Sequence, residues 1–441
     1  MELLKKKIGI LGAARSGTAA ANKIKELGGE PFLSECKSEN EIANSVQLLK
    51  KFNCEFGGHT KRLLQSDIII VSPGVPLDIP ILLEAKARKI ELLNEIELGY
   101  LLKNPSSKII AVTGSNGKST TVSLIHHILH EAGFNSVLAG NIGTAFTSYP
   151  IEDQSIDFIV LELSSFQLEL IEKFNPDVAV LLNIRPDHLN RYPNMITYAK
   201  TKFRLFKNQT QKDLAILNSD DLYINKLKNN IKSQIRYFSL TNEENISFQN
   251  NSIQYSKENI SLENSKLKGP HNLANLMASI LAVSQYKIDY KIIEHSLNTF
   301  QPLPHRMEFV DIIDDVTFIN DSKATNTDAV KYALQSFKEP VRLIIGGAGK
   351  GEDYSILNPH IKKHVKKLYI IGEDREKMKK TFQKFADLEL FLDFGKAIKT
   401  SFTEAKIDDV VILSPACASF DMFKNFEERG NRFKEIVGEL S

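Results

Sequence analysis

The sequence predicts an α/β protein with three domains. Short apolar runs repeatedly end in Gly, Ser, Asn or Asp and are followed by helical periodicity, which is typical of βαβ units in parallel sheets. The chain has 441 residues, and since an average domain takes about 150 residues, it is long enough for close to three. Two Pro-containing interruptions, near 99–108 and near 300–306, divide it into 1–98, 99–302 and 303–441.

Ten apolar runs mark the expected strands. They lie at 7–13, 68–71, 109–113, 158–162, 178–182, 214–217, 316–319, 341–345, 368–371 and 410–413. Between 240 and 266, short polar and apolar stretches alternate, which predicts a small antiparallel meander added to the central domain. The turn GAARSG after the first strand and the loop TGSNGKST after the third, together with this meander, predict a Rossmann-like first domain and a central domain of the P-loop ATPase type with that β addition. We also expect a Rossmann-like third domain.

The composition excludes several classes of protein. Lys and Arg (56) nearly balance Asp and Glu (54), and 42% of the residues are hydrophobic, which argues against a disordered chain and against a nucleic-acid partner. No apolar run approaches the roughly 18 residues of a membrane span, and the N-terminal lysines lead into a strand without a signal-peptide core. Three cysteines without a CxxC pair suggest neither disulfides nor structural zinc. We expect a cytoplasmic monomer with no membrane insertion.

A glycine turn follows the first strand, at Gly12-Ala13-Ala14-Arg15-Ser16-Gly17. It is similar to a dinucleotide fingerprint, but Ala14 replaces the central glycine, and Ser34-Glu35 ends the next expected strand. This lone motif predicts a Rossmann-like phosphate turn and does not identify a nicotinamide cofactor. A turn used only for packing is the alternative.

The strongest local signal is Thr113-Gly114-Ser115-Asn116-Gly117-Lys118-Ser119-Thr120, between a strand and a helical pattern. Such a loop offers backbone N–H groups to phosphate oxygens, with Lys118 as a point charge and the Ser119 hydroxyl on Mg²⁺. Val112 stands where the first Gly of GxxxxGK[ST] belongs, so the loop is a variant. It predicts a nucleoside triphosphate site, and an ordinary βα turn is the alternative.

Two further strands end in groups that suit a metal–phosphate site. Glu162 closes one strand, and Asp187 and His188 follow another. Ligands of open α/β sheets bind at the carboxyl ends of strands, and a carboxylate there suits Mg²⁺. A helix cap or ion pair for Glu162 and a structural role for His188 are the alternatives.

The C-terminal third has three polar segments that each follow a strand: 320–326, 346–351 and 414–421. Their side chains Lys323, Thr325, Lys350 and Ser419 could converge on an anionic substrate. Helix capping and solvated cations are the alternatives. Cys417 has no histidine nearby in sequence and is expected to pack rather than react.

In order along the chain, the segments TGSNGKST, ELSSFQLE, NIRPDHLNRY, GPHNLANLMAS, LPHRME, NDSKATN, GGAGKG and SPACASFDMFKNFEERG resemble the Mur ligase family over essentially the whole chain. The first three are shared with folylpolyglutamate synthases, whereas NDSKATN and the last segment resemble the D-glutamate-adding members. The resemblance implies three substrates: ATP, D-glutamate and UDP-N-acetylmuramoyl-L-alanine.

The resemblance also implies an ATP site with up to two Mg²⁺ ions. ATP would contact Ser115, Asn116, Gly117, Lys118, Ser119, Thr120, Asn272, Asn275, Arg306, Asp321 and Lys323. One Mg²⁺ would lie on Ser119 and Glu162, and a second on His188 and an N-carboxylated Lys202. Lys118, His188 and Lys202 would be the catalytic residues.

The other two substrates are placed by the same resemblance. The uridine nucleotide would lie on Arg15, Ser16, Ser34, Glu35, Gly74 and Asn141, and D-glutamate on Thr325, Lys350, Ser419 and Phe426. Ala14 and Asn190 depart from the family's usual residues. A ligase of the same family that adds another amino acid or acts on folate, a nucleotide-binding regulator, and an oxidoreductase remain as alternatives.

Overall fold

The computed structural model describes residues 2–42, 49–188, 191–337 and 339–440. It confirms the α/β class, with three largely parallel sheets and one small antiparallel sheet. The chain divides into two compact units. The first contains Met1–Asn183, Tyr198–Glu263 and Ala274–Asn298, and the second contains Ile184–Thr197, Asn264–Leu273 and Thr299–Ser441. The two predicted boundaries between the three domains stay a prediction.

The first sheet is parallel, in the order β3-β2-β1-β4-β5. Its strands and helices are β1 (Lys7–Leu11), α1 (Arg15–Glu26), β2 (Glu30–Ser34), β3 (Asn53–Glu55), β4 (Ile68–Val71), α2 (Pro80–Ala87), β5 (Glu91–Leu93) and α3 (Glu95–Leu102). Every residue of β4 is buried, as expected for a central strand covered on both faces.

The second sheet is also parallel, in the order β11-β10-β9-β6-β8-β7. Its elements are β6 (Lys108–Thr113), α4 (Lys118–Glu131), β7 (Ser136–Gly140), β8 (Phe158–Glu162), α5 (Ser165–Leu168), β9 (Val178–Leu181), α6 (Met195–Phe203), β10 (Leu214–Asn218), α7 (Leu222–Leu227) and β11 (Gln234–Phe238). The loops after β6, β8 and β9 therefore leave the same edge of this sheet.

The predicted meander is confirmed. It consists of β12 (Ile246–Gln249), β13 (Ser252–Tyr255) and β14 (Glu258–Ser261), paired antiparallel. Two helices follow it, α8 (Pro270–Val283) and α9 (Tyr290–Thr299).

The third sheet has the order β15-β16-β20-β17-β18-β19. Its elements are β15 (Glu308–Ile313), β16 (Val316–Asn320), α10 (Thr327–Gln335), β17 (Val341–Gly346), α11 (Asn358–His364), β18 (Val365–Ile371), α12 (Arg375–Phe382), β19 (Asp387–Leu390), α13 (Phe394–Thr403), β20 (Val410–Leu413) and α14 (Phe426–Gly438). β15 runs antiparallel to β16, and its residues are mostly exposed or half-buried. β15 is an edge strand in which Asp311 separates two apolar pairs, so no continuous apolar run marks it in the sequence.

All ten predicted strands are present, with bounds that differ by up to three residues. In the part of the chain that the structure describes, no helix is long and apolar enough to cross a membrane.

Candidate active site

The loop between β6 and α4 has a backbone that only glycine adopts readily. Gly117, the residue before α4, has φ +87°, and Gly114 has φ +156°. A Cβ on Gly117 would lie 2.3 Å from Oδ1 of Asn275, which projects from α8. The structure thus places Asn275 against the loop that was expected to bind ATP together with it.

Asn183, directly after β9, holds this loop in place. Its main-chain oxygen accepts from the Ser115 N–H at 3.0 Å. Its side chain accepts from the Asn116 N–H at 2.9 Å and donates to the Asn116 oxygen at 3.1 Å. No role was predicted for Asn183 from the sequence. Its position directly after a central strand of the same sheet could have indicated that it lies beside the loop.

Two lysines meet on one carbonyl group of the loop. The Nζ atoms of Lys118 and Lys202 each donate to the Gly114 oxygen at 2.9 Å, and Lys118 also donates to the Ser115 oxygen at 2.8 Å. Lys202 is only 1% exposed, and its Nζ lies 4.8 Å from the centre of the Tyr198 ring. The Lys118 ammonium group at a glycine loop suits the binding of a negatively charged phosphate.

Side-chain oxygen atoms that could bind a metal ion lie on the neighbouring strand and on the first turn of α4. Glu162 is buried at the end of β8, and its Oε1 accepts from Nδ2 of Asn141 at 2.6 Å. Ser119 and Thr120 are also buried. Carboxylate and hydroxyl oxygens are the ligand types that Mg²⁺ prefers, so Ser119 and Glu162 fit the metal expected there.

His188 belongs to the segment Ile184–Thr197, which packs in the second unit. Its Nε2 lies 3.4 Å from Oδ2 of Asp187, and its backbone has φ +55°. Its role as a metal ligand, like the carboxylation of Lys202, stays a prediction. Asn190 lies outside the described residues.

The remaining residues expected at ATP lie on α8 and in the second unit. Asn272, on the first turn of α8, donates to the Lys268 oxygen at 2.9 Å. Asp321 is buried, and its carboxylate accepts from the Ser414 hydroxyl at 2.8 Å and from the Met307 N–H at 3.2 Å. Burial raises the Asp321 pKa to about 7. Through these bonds Asp321 joins the segments that carry Met307 and Ser414, and its expected contact with ATP stays a prediction.

Arg306 lies in the same region as Asp321. Its charge lowers the Asp321 pKa, against the larger effect of burial. Burial, and to a smaller extent the positive charge of Arg306, lower the pKa of His271 to about 4. The His271 ring is therefore neutral near pH 7.

Two of the polar segments that follow strands of the third sheet come together at Lys350 and Thr325. Lys350 Nζ lies 3.4 Å from Thr325 Oγ1 and 3.3 Å from Asp187 Oδ1. Ala348 and Ala418 exchange two backbone hydrogen bonds of 3.0 Å, which join the loop of Lys350 to that of Ser419. Ser419 is buried.

On the segment after β16, Lys323 Nζ sits 3.6 Å from the centre of the Phe426 ring, a cation–π contact. Phe426 itself begins α14.

Arg429 is a buried residue that the sequence analysis missed. It is 1% exposed, and its guanidinium donates to the Ser322 hydroxyl (3.0 Å) and to the main-chain oxygens of Ser322 (2.9 Å), Cys417 (3.2 Å) and Ala418 (3.3 Å). It thereby ties the segment after β16 to the segment after β20. Cys417 is fully buried, which raises its pKa to about 12, and the packing role expected for it is confirmed.

The N-terminal candidate residues also meet. Arg15 donates to the main-chain oxygens of Asn141 (2.9 Å), Gly140 (3.3 Å) and Gly143. Glu35 accepts from the Ala13 N–H at 2.8 Å, so the end of β2 holds the glycine turn.

The other uridine-nucleotide candidates differ in how accessible they are. The Ser34 hydroxyl is buried and donates to Glu55 at 2.6 Å, with His59 Nδ1 at 2.7 Å. Ser16 is half-buried and Gly74 is exposed. The Ser34 hydroxyl is therefore engaged inside the protein.

A glycine loop between a strand and a helix, with two lysines and buried oxygen donors, defines a nucleotide-phosphate-binding α/β protein. Three family models match the chain: the MurD N-terminal domain at 7–79, the Mur ligase middle domain at 112–283, and the Mur ligase, glutamate ligase domain at 305–417. Together with the full-length relatives described next, they show that the chain belongs to the Mur ligase family.

Relatives named UDP-N-acetylmuramoylalanine--D-glutamate ligase match along their whole length. The protein of Alkaliphilus oremlandii is 39% identical, with 100% of both chains covered. That of Clostridioides difficile is 37% identical, again with 100% of both covered. That of Cytophaga hutchinsonii is 40% identical, with 99% of this chain and 100% of the relative covered.

Solved structures share the fold at low identity. The UDP-N-acetylmuramate-alanine ligase MurC of Thermotoga maritima superposes with a TM-score of 0.66 at 17% identity, covering 99% of this chain and 100% of that one. The MurF ligase of the same organism, solved with ADP, gives 0.65 at 16% identity, covering 93% and 96%.

Proposed function

We propose that this protein is an ATP-dependent amide ligase that joins D-glutamate to UDP-N-acetylmuramoyl-L-alanine, releasing ADP and phosphate, in peptidoglycan precursor synthesis. The observation that carries the proposal is that one chain holds a phosphate loop with two converging lysines and, separately, polar loops gathered around Lys350. The names of relatives that match over their full length support the choice of substrates.

The chemistry explains why such a ligase uses ATP. A carboxylate does not form an amide at neutral pH, because its oxygen is a poor leaving group. Transfer of the γ-phosphoryl group makes an acyl phosphate of the L-alanyl carboxylate and leaves ADP. The D-glutamate amine then attacks the acyl carbon, and phosphate departs.

Lys118 and the loop N–H groups offset the negative charge that gathers on the transferring group. In phosphoryl transfer, positioning and electrostatic stabilisation provide most of the rate enhancement. Lys118 already points at loop oxygens beside the phosphate site, at 2.8 and 2.9 Å, and exchanges them for phosphate oxygens when ATP binds.

Ser119 and Glu162 would hold one Mg²⁺, and His188 with a carboxylated Lys202 a second. When bound, Mg²⁺ would supply positive charge to the phosphate oxygens. A plain ammonium on Lys202 would repel a cation, whereas a carbamate would be an anionic oxygen ligand.

The three substrates occupy different loops. ATP contacts the phosphate loop together with Asn272, Asn275, Arg306, Asp321 and Lys323. The uridine nucleotide lies on Arg15, Ser16, Ser34, Glu35, Gly74 and Asn141, and D-glutamate on Thr325, Lys350, Ser419 and Phe426. The enzyme acts as a cytoplasmic monomer.

The test is a coupled ADP-release assay with UDP-N-acetylmuramoyl-L-alanine and each enantiomer of glutamate, with L-alanine and L-lysine as competing amino acids. We expect ADP release only when the acceptor and D-glutamate are both present. Release with another amino acid would assign the chain to a different ligase of the family. Binding of ATP with no release under any combination would favour a nucleotide-binding regulator.

A further inference from the structure

Glu352 is a buried carboxyl group that the proposed mechanism does not use. It lies two residues after Lys350, in the loop between β17 and α11, and is 3% exposed. One oxygen, Oε2, accepts from the N–H of Thr327, the first residue of α10, at 2.8 Å. The other, Oε1, has no hydrogen-bond partner in the part of the chain that the structure describes.

Charged groups from several elements face this carboxyl group. Lys350 and Asp187 act on it electrostatically, and these two pair with each other at 3.3 Å. Lys377 of α12 donates to the main-chain oxygen of Glu352 at 3.0 Å, and the buried Cys417 thiol interacts with it. The Lys350 ammonium group thus forms an ion pair with Asp187 and also acts electrostatically on Glu352.

Such an arrangement makes ionised Glu352 costly. Burial raises its pKa to about 7, and the negative charge of Asp187 adds to the rise, while the Thr327 N–H and the Lys350 charge oppose it. A buried carboxylate oxygen with no donor is unfavourable, and protonation removes that charge. Near neutral pH this group can therefore be present in either form.

The amino acid brings further negative charge to the same place. If D-glutamate binds at Lys350 and Thr325, its carboxylate must compete with Asp187 and Glu352 for the Lys350 ammonium group. Two protein carboxylates would cancel the attraction of Lys350 for a third, whereas a neutral Glu352 leaves the ammonium available.

We propose that Glu352 is a positioning residue of the amino-acid pocket, which binds its substrate carboxylate best when Glu352 carries a proton and leaves Lys350 free to engage it. This inference rests on the proposed function, because it assumes that Lys350 meets the amino acid. It explains why a carboxyl group with an unused oxygen is buried beside an anion-binding lysine.

The variant Glu352→Gln tests the proposal. Glutamine keeps an oxygen for the Thr327 N–H but cannot ionise. In the wild type we expect the KM for D-glutamate to rise by about fivefold or more between pH 6.5 and 8.5, and in Glu352→Gln by less than about twofold. The ionisation of D-glutamate itself is the same in both experiments. A difference between the two pH profiles of KM is therefore caused by the ionisation of Glu352. The KM for ATP should follow one profile in both.

Two further variants guard against a merely structural explanation. Glu352→Asp keeps a titratable group and should keep the rise in KM. Glu373→Gln removes an exposed carboxylate of the same unit and should match the wild type. An unchanged rise in Glu352→Gln, or equal losses for ATP and D-glutamate in it, would overturn the inference while D-glutamate turnover still upheld the proposed function. Absence of turnover with D-glutamate in the wild type would instead refute the function.

Discussion

At the scale of single residues, the proposed phosphate site contains two lysines that are far apart in the chain. Lys118 and Lys202 share the Gly114 carbonyl group, although Lys202 lies 88 residues from it. Lys118 is half-buried at the start of α4, whereas Lys202 is almost completely buried. Their different burial predicts different consequences when each is removed.

Replacing Lys118 with alanine should abolish ligation and leave the fold intact. The Lys118 side chain is half-buried, and its ammonium group donates to the main-chain oxygens of Gly114 and Ser115. Its loss therefore opens no core cavity. We expect turnover to fall by about a hundredfold or more, because the charge on the γ-phosphoryl group is no longer offset. Steady-state kinetics with a thermal unfolding control would check this, and near-normal turnover would contradict the assigned site.

Lys202→Ala should also lose activity, and a small added carboxylate should restore part of it if the lysine is carboxylated. Burial lowers the pKa of lysines in general, which leaves the neutral amine that adds CO₂. The carbamate signal from labelled CO₂, or the extra mass of CO₂ at Lys202, gives a readout independent of activity. Lys200→Ala, on the exposed side of the same helix, is the matched control. A lysine shown to be unmodified with ATP and Mg²⁺ bound would refute the carbamate.

Lys350→Ala and Ser419→Ala should act mainly on D-glutamate. A charged hydrogen bond to a carboxylate is worth about 1.5–3 kcal/mol, so we expect the KM for D-glutamate to rise by roughly tenfold or more for Lys350→Ala. The KM for ATP should stay within a few-fold. Lys362→Ala, an exposed lysine on α11, should change neither constant. An equal rise for ATP would mean that the amino-acid site is wrongly placed.

At the scale of elements, the sheets explain why site residues cluster. β6, β8 and β9 are parallel neighbours, so the glycine loop, Glu162 and Asn183 all leave one edge. In the third sheet, β16, β17 and β20 do the same for the segments that carry Thr325, Lys350 and Ser419. The helix that follows the glycine loop is preceded by Gly117, whose positive φ favours glycine.

Gly117→Ala should be more harmful than an ordinary glycine replacement. A non-glycine residue at positive φ costs about 1–3 kcal/mol, and here the new Cβ would also lie 2.3 Å from Asn275 Oδ1. Gly133→Ala is the matched control, since Gly133 has φ +84° but no atom within 4 Å of its added Cβ. Urea unfolding should show a larger loss for Gly117→Ala, together with weaker ATP binding. Equal losses would mean that Asn275 can move away freely.

At the scale of the whole molecule, contacts group the chain differently from sequence order. The segment Ile184–Thr197 follows β9 of the second sheet, yet it belongs to the unit of the third sheet. Two ion pairs hold it there, Asp187–Lys350 at 3.3 Å and Arg185–Asp328 at 3.8 Å. No change of composition marks the point, between Asn183 and Ile184, where the chain passes from the first unit to the second.

The stability of the second unit should depend on pH through Glu352. The folded state binds this proton more tightly than the unfolded chain, since the pKa is about 7 when folded and 4.5 ordinarily. The resulting stabilisation is full below about pH 4.5 and is lost as the pH rises through about 7. The free energy of unfolding of Glu352→Gln, relative to wild type, should therefore increase by up to about 3 kcal/mol between pH 5 and 8. A constant difference across this range in denaturant unfolding would contradict the raised pKa.

The sequence by itself determined the fold class, ten strands, the meander and the phosphate loop. These features are local: apolar periodicity and glycine at positive φ are written in windows of a few residues. The candidate residues at the strand ends were also accessible to sequence reasoning, because the carboxyl ends of parallel strands share an edge. The antiparallel β15 was not predicted, because Asp311 interrupts its apolar residues and most of the strand is exposed or half-buried.

The tertiary structure alone decided which of these residues touch and which are buried. Asn183 reaches Asn116 across 67 residues, and Arg429 reaches Ser322 across 107. The burial of Glu352, and with it the raised pKa of this carboxyl group, depends on the segments that pack over it. Partner and burial are set by segments far away in the chain, so no local pattern could specify them.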